Sequence, residues 1–473
     1  MTLTIILVSM AAALLAGWLA RGRSRPLVLL AFSALAVYAF QPALPVRHLD
    51  FWLPTVTLAL VAASWALTAA PEQRSWRANW PAAAILAGIV LLLGLTRFLP
   101  FDAFLTASRP PQTFQIVLAI LLAAALTGAA LWLSRRSAKW LAAAIGLILA
   151  LFLVLKVPEL SYWTSFFFHK LNQQYSGAAS AADLRWLGFS YIAFRLIHTI
   201  RDRQSGRLPA VTLAEYAAYV IFFPSLTAGP IDRIERFLGD LRRPFALSAE
   251  DLTEAGKRLL VGLFKKFVIA DALALVALNG TNALQVRTAG WTWILLYAYA
   301  FQIFFDFSGY TDIAIGLGRL LGFKLPENFN APYRKPNLTQ FWNNWHMTLT
   351  QWFRAYFFNP VTRLLRSTKK PLPIPVVIFV TQIITMALIG LWHGVTANFV
   401  LWGLWHGLGL FVHNRWSERT KARFAVLPPR WQTVLNAGGA LLTFHFVALG
   451  WVFFAMPDLS TSWHVFLKLF GFA

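Results

Sequence analysis

The sequence predicts an all-α, polytopic integral membrane protein with roughly 11–13 transmembrane helices plus re-entrant and interfacial helices. Two observations support this prediction. Of the 473 residues, 58% are hydrophobic and only 13% are charged, whereas about a quarter of the residues in a soluble domain are charged. Many apolar runs are long enough to cross about 30 Å of hydrocarbon as helices, and they lack the alternating pattern of a membrane β-barrel.

The apolar runs follow one another along the whole chain. We predict spans at 2–19, 27–44, 51–70, 81–97, 114–133, 141–157, 183–200, 252–279, 289–308, 374–392, 397–413 and 434–455. The first run has no basic residues before it and no small-residue cleavage site after it, so we interpret it as a retained span. Because no convincing internal repeat and no long linker interrupts the chain, we predict a single integral-membrane domain over 1–473.

Charge is distributed unevenly between the predicted loops, and the chain carries a net charge of +23. Basic clusters follow alternate spans, whereas the loops between them carry mostly single charges such as Arg47, Arg109 and Lys170. The positive-inside rule then predicts that the N-terminus faces outside and that the clusters face the cytoplasm. The clusters comprise Arg21, Arg23 and Arg25; Arg74 and Arg77; Arg135, Arg136 and Lys139; Arg201, Arg203 and Arg207; and Arg415, Arg419 and Lys421.

The basic excess has two interpretations besides topology. No element that reads a nucleic acid accompanies it, so no nucleic-acid partner is predicted. Docking of an acidic protein or of an anionic donor at the cytoplasmic face stays open as a second use of these charges. Cysteine is absent, which excludes disulfides, a thiolate nucleophile and Cys-ligated zinc.

Residues 221–243 interrupt the apolar pattern. Pro224, Gly229 and Pro230 prevent a continuous helix, and such broken backbone at membrane depth is tolerated only inside protein or beside a water-filled cavity. The following residues turn amphipathic, which predicts a helix along the cytoplasmic interface. A simple loop cap and a wall of a functional site are both compatible with this pattern.

Residues 302–358 form a second polar stretch. Asp306 lies near the end of a predicted span, where it is either a functional carboxylate or an ion-pair and hydrogen-bonding partner of an Arg, Ser308 or Thr311. From 338 onward the pattern is helical and rich in aromatics, as in an interface belt. His346 and Arg354 would share nearly the same face of such a helix, eight residues apart.

Two Trp-His-Gly triplets lie in the apolar stretch 389–407. On one straight helix His393 and His406 would lie about 20 Å apart and ~140° out of phase, so they could not share a metal ion or a proton. Residues 394–397 instead suggest a turn between two spans, and no His-x-x-x-His spacing is present, so no metal site is predicted. A membrane histidine is either a helix–helix hydrogen-bonding residue or a proton carrier. The chain offers no competing nucleophile or carboxylate pair.

A resemblance to a known family lies in four segments: FFPSLTAGPIDRIERF, DFSGYTDIAIGLGRLLGFKLPENFNAPY, FWNNWHMTLTQWFRAYFF and GLWHGVTANFVLWGLWHGLGL. In this order they resemble signature segments of the membrane-bound O-acyltransferase family, and within it the branch that D-alanylates teichoic acids or O-acetylates alginate. The resemblance covers 190–416 as a catalytic core. It leaves 1–180 as variable N-terminal spans and 430–473 as C-terminal spans without a counterpart.

The resemblance implies a funnel or tunnel in which a cytoplasmic thioester donor meets an extracytoplasmic hydroxyl. His393 matches the family's essential histidine and would act as general base, a role typically worth about 10²–10⁴-fold in rate. His346 matches the second polar position and would polarise the thioester carbonyl or bind the donor. The predicted substrate-binding or wall residues are Asp306, Asn328, Trp345, Arg354 and Trp392.

The resemblance also names the reactants and the compartment. It implies no tightly bound cofactor. The donor would be a phosphopantetheine carrier protein or acetyl-CoA, and the acyl group would be D-alanyl or acetyl. The acceptor would be a cell-envelope polymer outside the inner or plasma membrane, with membrane lipid around the chain and a second envelope acyltransferase as a further candidate partner.

Two other functions stay open from the sequence. One is a transporter or channel that uses a buried histidine as a proton relay, although the helix interruptions fall in one half of the chain only. The other is a non-catalytic scaffold for envelope enzymes. The variant His393→Ala separates the three, because only an acyltransferase would lose a modified product while its fold persists.

Overall fold

The computed structural model describes residues 2–20, 22–100 and 105–472, so Arg21 of the first basic cluster lies outside the described residues. Within these ranges all regular structure is helical and no strand is present, which confirms the predicted all-α class. The chain forms two compact units. Unit 1 comprises Met1–Arg258 and Ala314–Leu325, and unit 2 comprises Leu259–Ile313 and Pro326–Ala473.

The α-helices follow the chain in this order: α1 (Leu3–Leu19), α2 (Arg25–Phe40), α3 (Leu49–Thr68), α4 (Trp76–Leu95), α5 (Thr113–Arg136), α6 (Lys139–Lys156), α7 (Pro158–Leu171), α8 (Phe189–Gln204), α9 (Leu213–Val220), α10 (Ile234–Arg242), α11 (Ala249–Leu263), α12 (Asp271–Ala274), α13 (Gly280–Gln285), α14 (Ala289–Leu320), α15 (Leu338–Asn344), α16 (Met347–Phe353), α17 (Asn359–Arg366), α18 (Ile374–His393), α19 (Ala397–Ala425), α20 (Pro429–Ala455) and α21 (Leu459–Leu469). Two π-helical turns, Phe264–Ala270 and Arg354–Phe358, follow α11 and α16.

Among the described residues, seven helices are long and apolar enough to cross a membrane. They are Gly22–Phe40, Leu49–Thr68, Trp76–Phe98, Thr113–Arg136, Lys139–Lys156, Ile374–His393 and Pro429–Ala455. The apolar α1 is shorter. The predicted spans at 183–200, 252–279, 289–308 and 397–413 coincide with helices outside this set. Within 252–279, the π turn Phe264–Ala270 with its two lysines follows α11.

Arg195 holds the broken segment after α9 in unit 1. Its side chain is 1% exposed and donates to the carbonyl oxygens of Val220 and Ser225, each at 2.9 Å, and to the Ser225 hydroxyl at 2.6 Å. Buried backbone groups need partners, and here the guanidinium supplies them where Pro224 breaks the helical pattern. The predicted interruption of this stretch is confirmed.

Helix α10 is amphipathic as predicted, but protein covers its apolar face. Ile234, Phe237 and Leu238 are at most 3% exposed, and the Phe237 ring stacks on Phe323 at 4.5 Å within unit 1. The polar face carries the ion pair between Arg236 and Asp232 at 2.7 Å. The apolar face therefore anchors α10 to unit 1 and is not available for insertion into lipid.

Arg25 is a second buried cation that the charge pattern places in a solvated cluster. It is 2% exposed and donates to the carbonyl oxygens of Asp240, Arg243 and Leu321 at 2.7–2.9 Å. The last carbonyls of a helix lack partners within the helix. Arg25 therefore satisfies the end of α10, and it is not a freely solvated cytoplasmic charge.

Glycines allow α18 and α19 to pack closely in unit 2. A Cβ on Gly390 would lie 2.1 Å from the carbonyl oxygen of Phe399, and one on Gly403 would lie 2.4 Å from that of Met386. These distances leave no room for any side chain. The close packing places the C-terminus of α18, which carries the first Trp-His-Gly triplet, directly against α19.

Candidate active site

His393 is the last residue of α18 and is followed by extended Gly394 before α19 begins at Ala397. This arrangement confirms the predicted turn between the two triplets. The imidazole is half-buried and lies among aromatic rings, with centroid distances of 4.6 Å to Trp392 and 4.8 Å to Phe454. The ring is therefore held by packing at the end of a helix, with part of its surface open.

His346 lies at a break between α15 and α16. Its backbone adopts φ 42° and ψ 53°, the left-handed region that costs most residues other than glycine free energy. The side chain is 3% exposed, and among the described residues neither ring nitrogen has a hydrogen-bond partner. A buried orphan imidazole in a strained backbone is typical of a site that binds a ligand.

Asn328 supports this break from a separate loop. Its side-chain oxygen accepts from the hydroxyl of Thr348 at 2.6 Å, and its carbonyl oxygen accepts from the amide of Met347 at 3.0 Å. Asn328 is fully buried. It therefore holds the residues that follow His346.

Trp392 contacts both imidazoles. Its ring centroid lies 4.6 Å from that of His393 and 6.2 Å from that of His346. His346 lies outside the candidate membrane-spanning helices, and burial lowers its pKa well below the ordinary value, with His393 acting in the same direction. The structure therefore brings three predicted site residues together and keeps His346 neutral, as a hydrogen-bond donor through one nitrogen and an acceptor through the other.

Unit 2 contains a cleft of about 190 Å³. Its α18 wall ends at Ile389, and on a helix the next residues of the same face are Trp392 and His393. The indole N–H of Trp342, in another wall, is buried without a hydrogen-bond partner among the described residues. Neither imidazole is a lining residue. The lining residues are Thr339, Trp342, Asn343, Thr350, Phe353, Arg354, Phe358, Ile378, Gln382, Thr385, Met386, Ile389, Leu410 and Asn414.

The predicted continuous helix through His346 and Arg354 is wrong. α15 ends at Asn344, and His346 has a left-handed backbone before α16 begins at Met347, so no continuous helix passes through both residues. Arg354 is instead an exposed residue of the cleft wall, and it donates to the side-chain oxygen of Asn343 at 2.7 Å. It is the one cation among the lining residues, which include no carboxylate.

Asp306 and Trp345 lie beside the site in different ways. Asp306 pairs with Lys266, so the predicted pairing with an Arg, Ser308 or Thr311 is wrong in its partner. Trp345 is 4% exposed and packs against Phe329 and Trp451 at 5.1–5.2 Å. Both residues therefore support the surroundings of His346 and do not line the cleft.

Comparison with known proteins decides the family. The family model of the membrane-bound O-acyltransferases (MBOAT) matches residues 140–456, which is more than half of the chain. The protein belongs to this family. The match includes α20, so the prediction that the C-terminal spans have no family counterpart is wrong for 430–456.

Three relatives illustrate the range of acyltransferases that this family member resembles. The probable alginate O-acetylase AlgI of Pseudomonas aeruginosa is 34% identical over 287 residues, or 60% of this chain and 52% of that protein. The teichoic acid D-alanyltransferase of Streptococcus thermophilus is 32% identical over 289 residues, or 58% and 68%. The peptidoglycan O-acetyltransferase of Helicobacter pylori is 34% identical over 261 residues, or 54% and 46%. The chain thus spans about half the length of the alginate O-acetylase.

Several residues around the histidines of this O-acyltransferase family member escape prediction from the sequence. Phe307 contacts the His346 ring edge-to-face at 4.6 Å, and Trp402 contacts His393 at 5.5 Å. Lys266 pairs with Asp306. An aromatic or a lysine in a membrane protein has many uses, so only its tertiary contacts distinguish it. The only indication in the sequence is that Phe307 directly follows Asp306, which is predicted as a candidate site residue.

A second histidine cluster lies in unit 1. Ligand atoms of His198, Asp202 and Glu235 lie within 4.8 Å of one another. Asp202 already binds His198 at 2.9 Å and Arg207 at 2.9 Å, and the second ring nitrogen of His198 contacts the hydroxyl of Tyr219 at 3.2 Å. These bonds use both ring nitrogens of His198 and both carboxylate oxygens of Asp202, so we interpret these two residues as part of a structural network.

Proposed function

We propose that this protein is an O-acyltransferase that moves an acyl group from a cytoplasmic thioester donor to a hydroxyl of an extracytoplasmic cell-envelope polymer. Membership of the membrane-bound O-acyltransferase family supports the reaction class. The relatives are named for acetyl transfer to alginate or peptidoglycan and D-alanyl transfer to teichoic acid, which supports an envelope polymer as acceptor. The observation that carries the proposal is the pair of imidazoles on either side of Trp392.

The proposed chemistry assigns one task to each imidazole. His393 accepts the proton of the acceptor hydroxyl while its oxygen attacks the thioester carbonyl carbon. His346, neutral because burial lowers its pKa, donates an N–H hydrogen bond to the carbonyl oxygen as negative charge develops there. The new C–O bond forms, the C–S bond breaks, and the departing thiolate takes the proton back from His393.

The cleft supplies a route for the donor in this proposal. The face of α18 that lines it leads toward His393, and the unpartnered N–H of Trp342 can bind a carbonyl of the donor arm. Arg354 suits a phosphate, because a guanidinium binds phosphate oxygens in a planar fork. These features fit a phosphopantetheine thioester, on a carrier protein or as acetyl-CoA.

The charge of the cleft favours acetyl over D-alanyl as the transferred group. A D-alanyl ester carries an ammonium, and a buried ammonium requires a carboxylate or comparable partner. The lining residues include Arg354 and no carboxylate. We therefore propose an uncharged acyl group. We also propose that the enzyme lies in the inner or plasma membrane.

A complementation experiment tests the proposal. A deletion strain receives the wild-type chain, His393→Ala or the control His464→Ala, whose exposed imidazole lies on α21, and the envelope polymers are analysed by mass spectrometry. We expect the wild type and the control to restore an acetyl ester that His393→Ala fails to restore at equal membrane abundance. Full restoration by His393→Ala overturns the general-base role, and loss of the polymer itself would favour transport.

A further inference from the structure

A short segment of α14 contacts both sides of the His346 break. The ring of Phe307 contacts the His346 imidazole at 4.6 Å. One helical turn later, the hydroxyl of Thr311 lies 3.5 Å from the side-chain nitrogen of Asn328, which in turn holds Met347. Residues 306–312 therefore contact the His346 ring and, through Asn328, the residue that follows it.

Two consecutive lysines bracket this same segment. Lys265 binds Asp312 at 2.7 Å, and Lys266 binds Asp306. Both lysines lie in the π turn Phe264–Ala270, a wider turn that recurs at functional sites. Two adjacent side chains thus reach two carboxylates that are six residues apart on α14.

The backbones of the two elements are in direct contact at this point. A Cβ on Gly309 would lie 2.8 Å from the carbonyl oxygen of Gly262 and 2.9 Å from the amide nitrogen of Lys266. Neither glycine can gain a side chain without separating the elements. The close approach places the π turn within reach of both carboxylates.

Each of the two ion pairs has one largely buried partner, which distinguishes both pairs from ordinary surface pairs. The side chains of Lys266 and Asp312 are only 15% and 7% exposed, against 27% for Lys265 and 50% for Asp306. Removing one partner of a buried ion pair is strongly destabilising, because it leaves the other charge without compensation. None of these four residues lines the cleft, and the proposed chemistry does not use them directly.

We propose that Lys265 and Lys266, paired with Asp312 and Asp306, are positioning residues that hold the 306–312 segment of α14 against the break and thereby keep His346 buried. The catalytic meaning of this role rests on the proposed function. The placement of the His346 ring does not, and it can be measured in the absence of any acyl donor.

Chemical modification of histidine provides that measurement. Diethyl pyrocarbonate reacts with accessible, neutral imidazole nitrogens, and peptide mass spectrometry reports each site in the purified full-length chain. The exposed His464 serves as internal reference. The variants are Lys266→Ala, Lys266→Arg and Asp306→Asn, with Lys257→Ala as the matched control, because Lys257 is an exposed lysine of the preceding helix.

We expect His346 to be protected in the wild type, in Lys257→Ala and in Lys266→Arg, and to react several-fold faster in Lys266→Ala and Asp306→Asn. Polymer acetylation in cells should fall about 10- to 100-fold in the two latter variants, as expected for misplaced catalytic groups. Equal protection in the wild type, Lys266→Ala and Asp306→Asn overturns the proposal, as does loss of protection in Lys266→Arg. If His346 becomes reactive in the expected variants but no strain makes an acylated polymer, the proposed function is refuted and the positioning role of the lysines is still supported.

Discussion

His346 is the residue with the most demanding surroundings in the candidate site. It combines a left-handed backbone, near-complete burial and two ring nitrogens without partners among the described residues. Each feature costs free energy, and such costs persist only where surrounding contacts enforce them. Here Asn328 holds the following residues and Phe307 covers the ring. The residue is therefore built to present a neutral imidazole.

A neutral buried imidazole makes stability depend on pH. Burial lowers the pKa of His346, so the unfolded chain binds a proton there as the pH falls through about 6.5, whereas the folded chain does not. The unfolded state then binds more protons, and the free energy of unfolding falls with decreasing pH. We expect the wild type to lose up to ~1.4 kcal/mol per pH unit below about pH 6.5 from this residue.

Thermal unfolding in detergent at a series of pH values measures this effect. His346→Gln should flatten the slope below about pH 6.5, because glutamine does not titrate. The exposed-residue variant His464→Gln should keep the wild-type slope. Parallel curves for His346→Gln and the wild type would show that the imidazole is already protonated in the folded chain.

At the scale of elements, α18 and α19 form the rigid support of the site. Their backbones meet at Gly390 and Gly403, and α18 delivers both Trp392 and His393 at its C-terminus. Three interruptions of helical structure lie outside this pair of helices: the break after α15 and the two π turns. They point side chains in directions that a straight helix would not allow. The packing of α18 against α19 therefore supplies rigidity, and the interruptions orient side chains of the candidate site and its surroundings.

The close contact between α18 and α19 predicts that replacing Gly403 with a larger residue destabilises the protein. Gly403→Ala should lower the free energy of unfolding by about 1–3 kcal/mol, because the added Cβ would lie 2.4 Å from the Met386 carbonyl oxygen and would overpack the contact. Gly438→Ala on α20, where no atom lies within 4 Å, should be neutral or stabilise by up to about 1 kcal/mol. Thermal unfolding of both variants compares them, and equal midpoints would contradict the packing argument.

At the scale of the whole chain, apolar surface indicates which helices contact lipid, and charge indicates which loops face the cytoplasm. Only 11% of the apolar window of α5 and of α6 is buried inside the protein, as expected where lipid is the solvent. The basic clusters follow alternate predicted spans. From these features we expect the basic loops to face the cytoplasm, because positively charged loops are retained on that side.

The absence of cysteine allows a direct test of this orientation. Ala178→Cys and Ala422→Cys each place one thiol at an exposed position in a chain without any other cysteine. In intact cells a membrane-impermeant maleimide should label Ala178→Cys, and Ala422→Cys should react only after permeabilisation. The reversed pattern would invert the topology and with it the direction of the proposed transfer.

The motifs predicted which side chains lie close together better than helical spacing did. The pairing of His393 and His346 came from family-like segments, and the structure brings both onto Trp392. The helical spacing that joined His346 to Arg354 was wrong, because a helical wheel holds only while the helix is continuous. The partner of Asp306 was also wrong, because Lys266 lies 40 residues away in the chain and no local pattern connects the two.

The sequence by itself determined the all-helical membrane class and, through its motifs, the histidines of the candidate site. Composition and apolar run length suffice for the first, because a bilayer leaves the backbone few alternatives. Only the tertiary structure decided which charges are buried, where helices break, and which distant side chains meet. Arg25 shows the reason. Its side chain donates hydrogen bonds to carbonyl groups more than 200 residues away in the chain. Such hydrogen bonds form only when the chain is folded, so no local segment of the sequence reveals them.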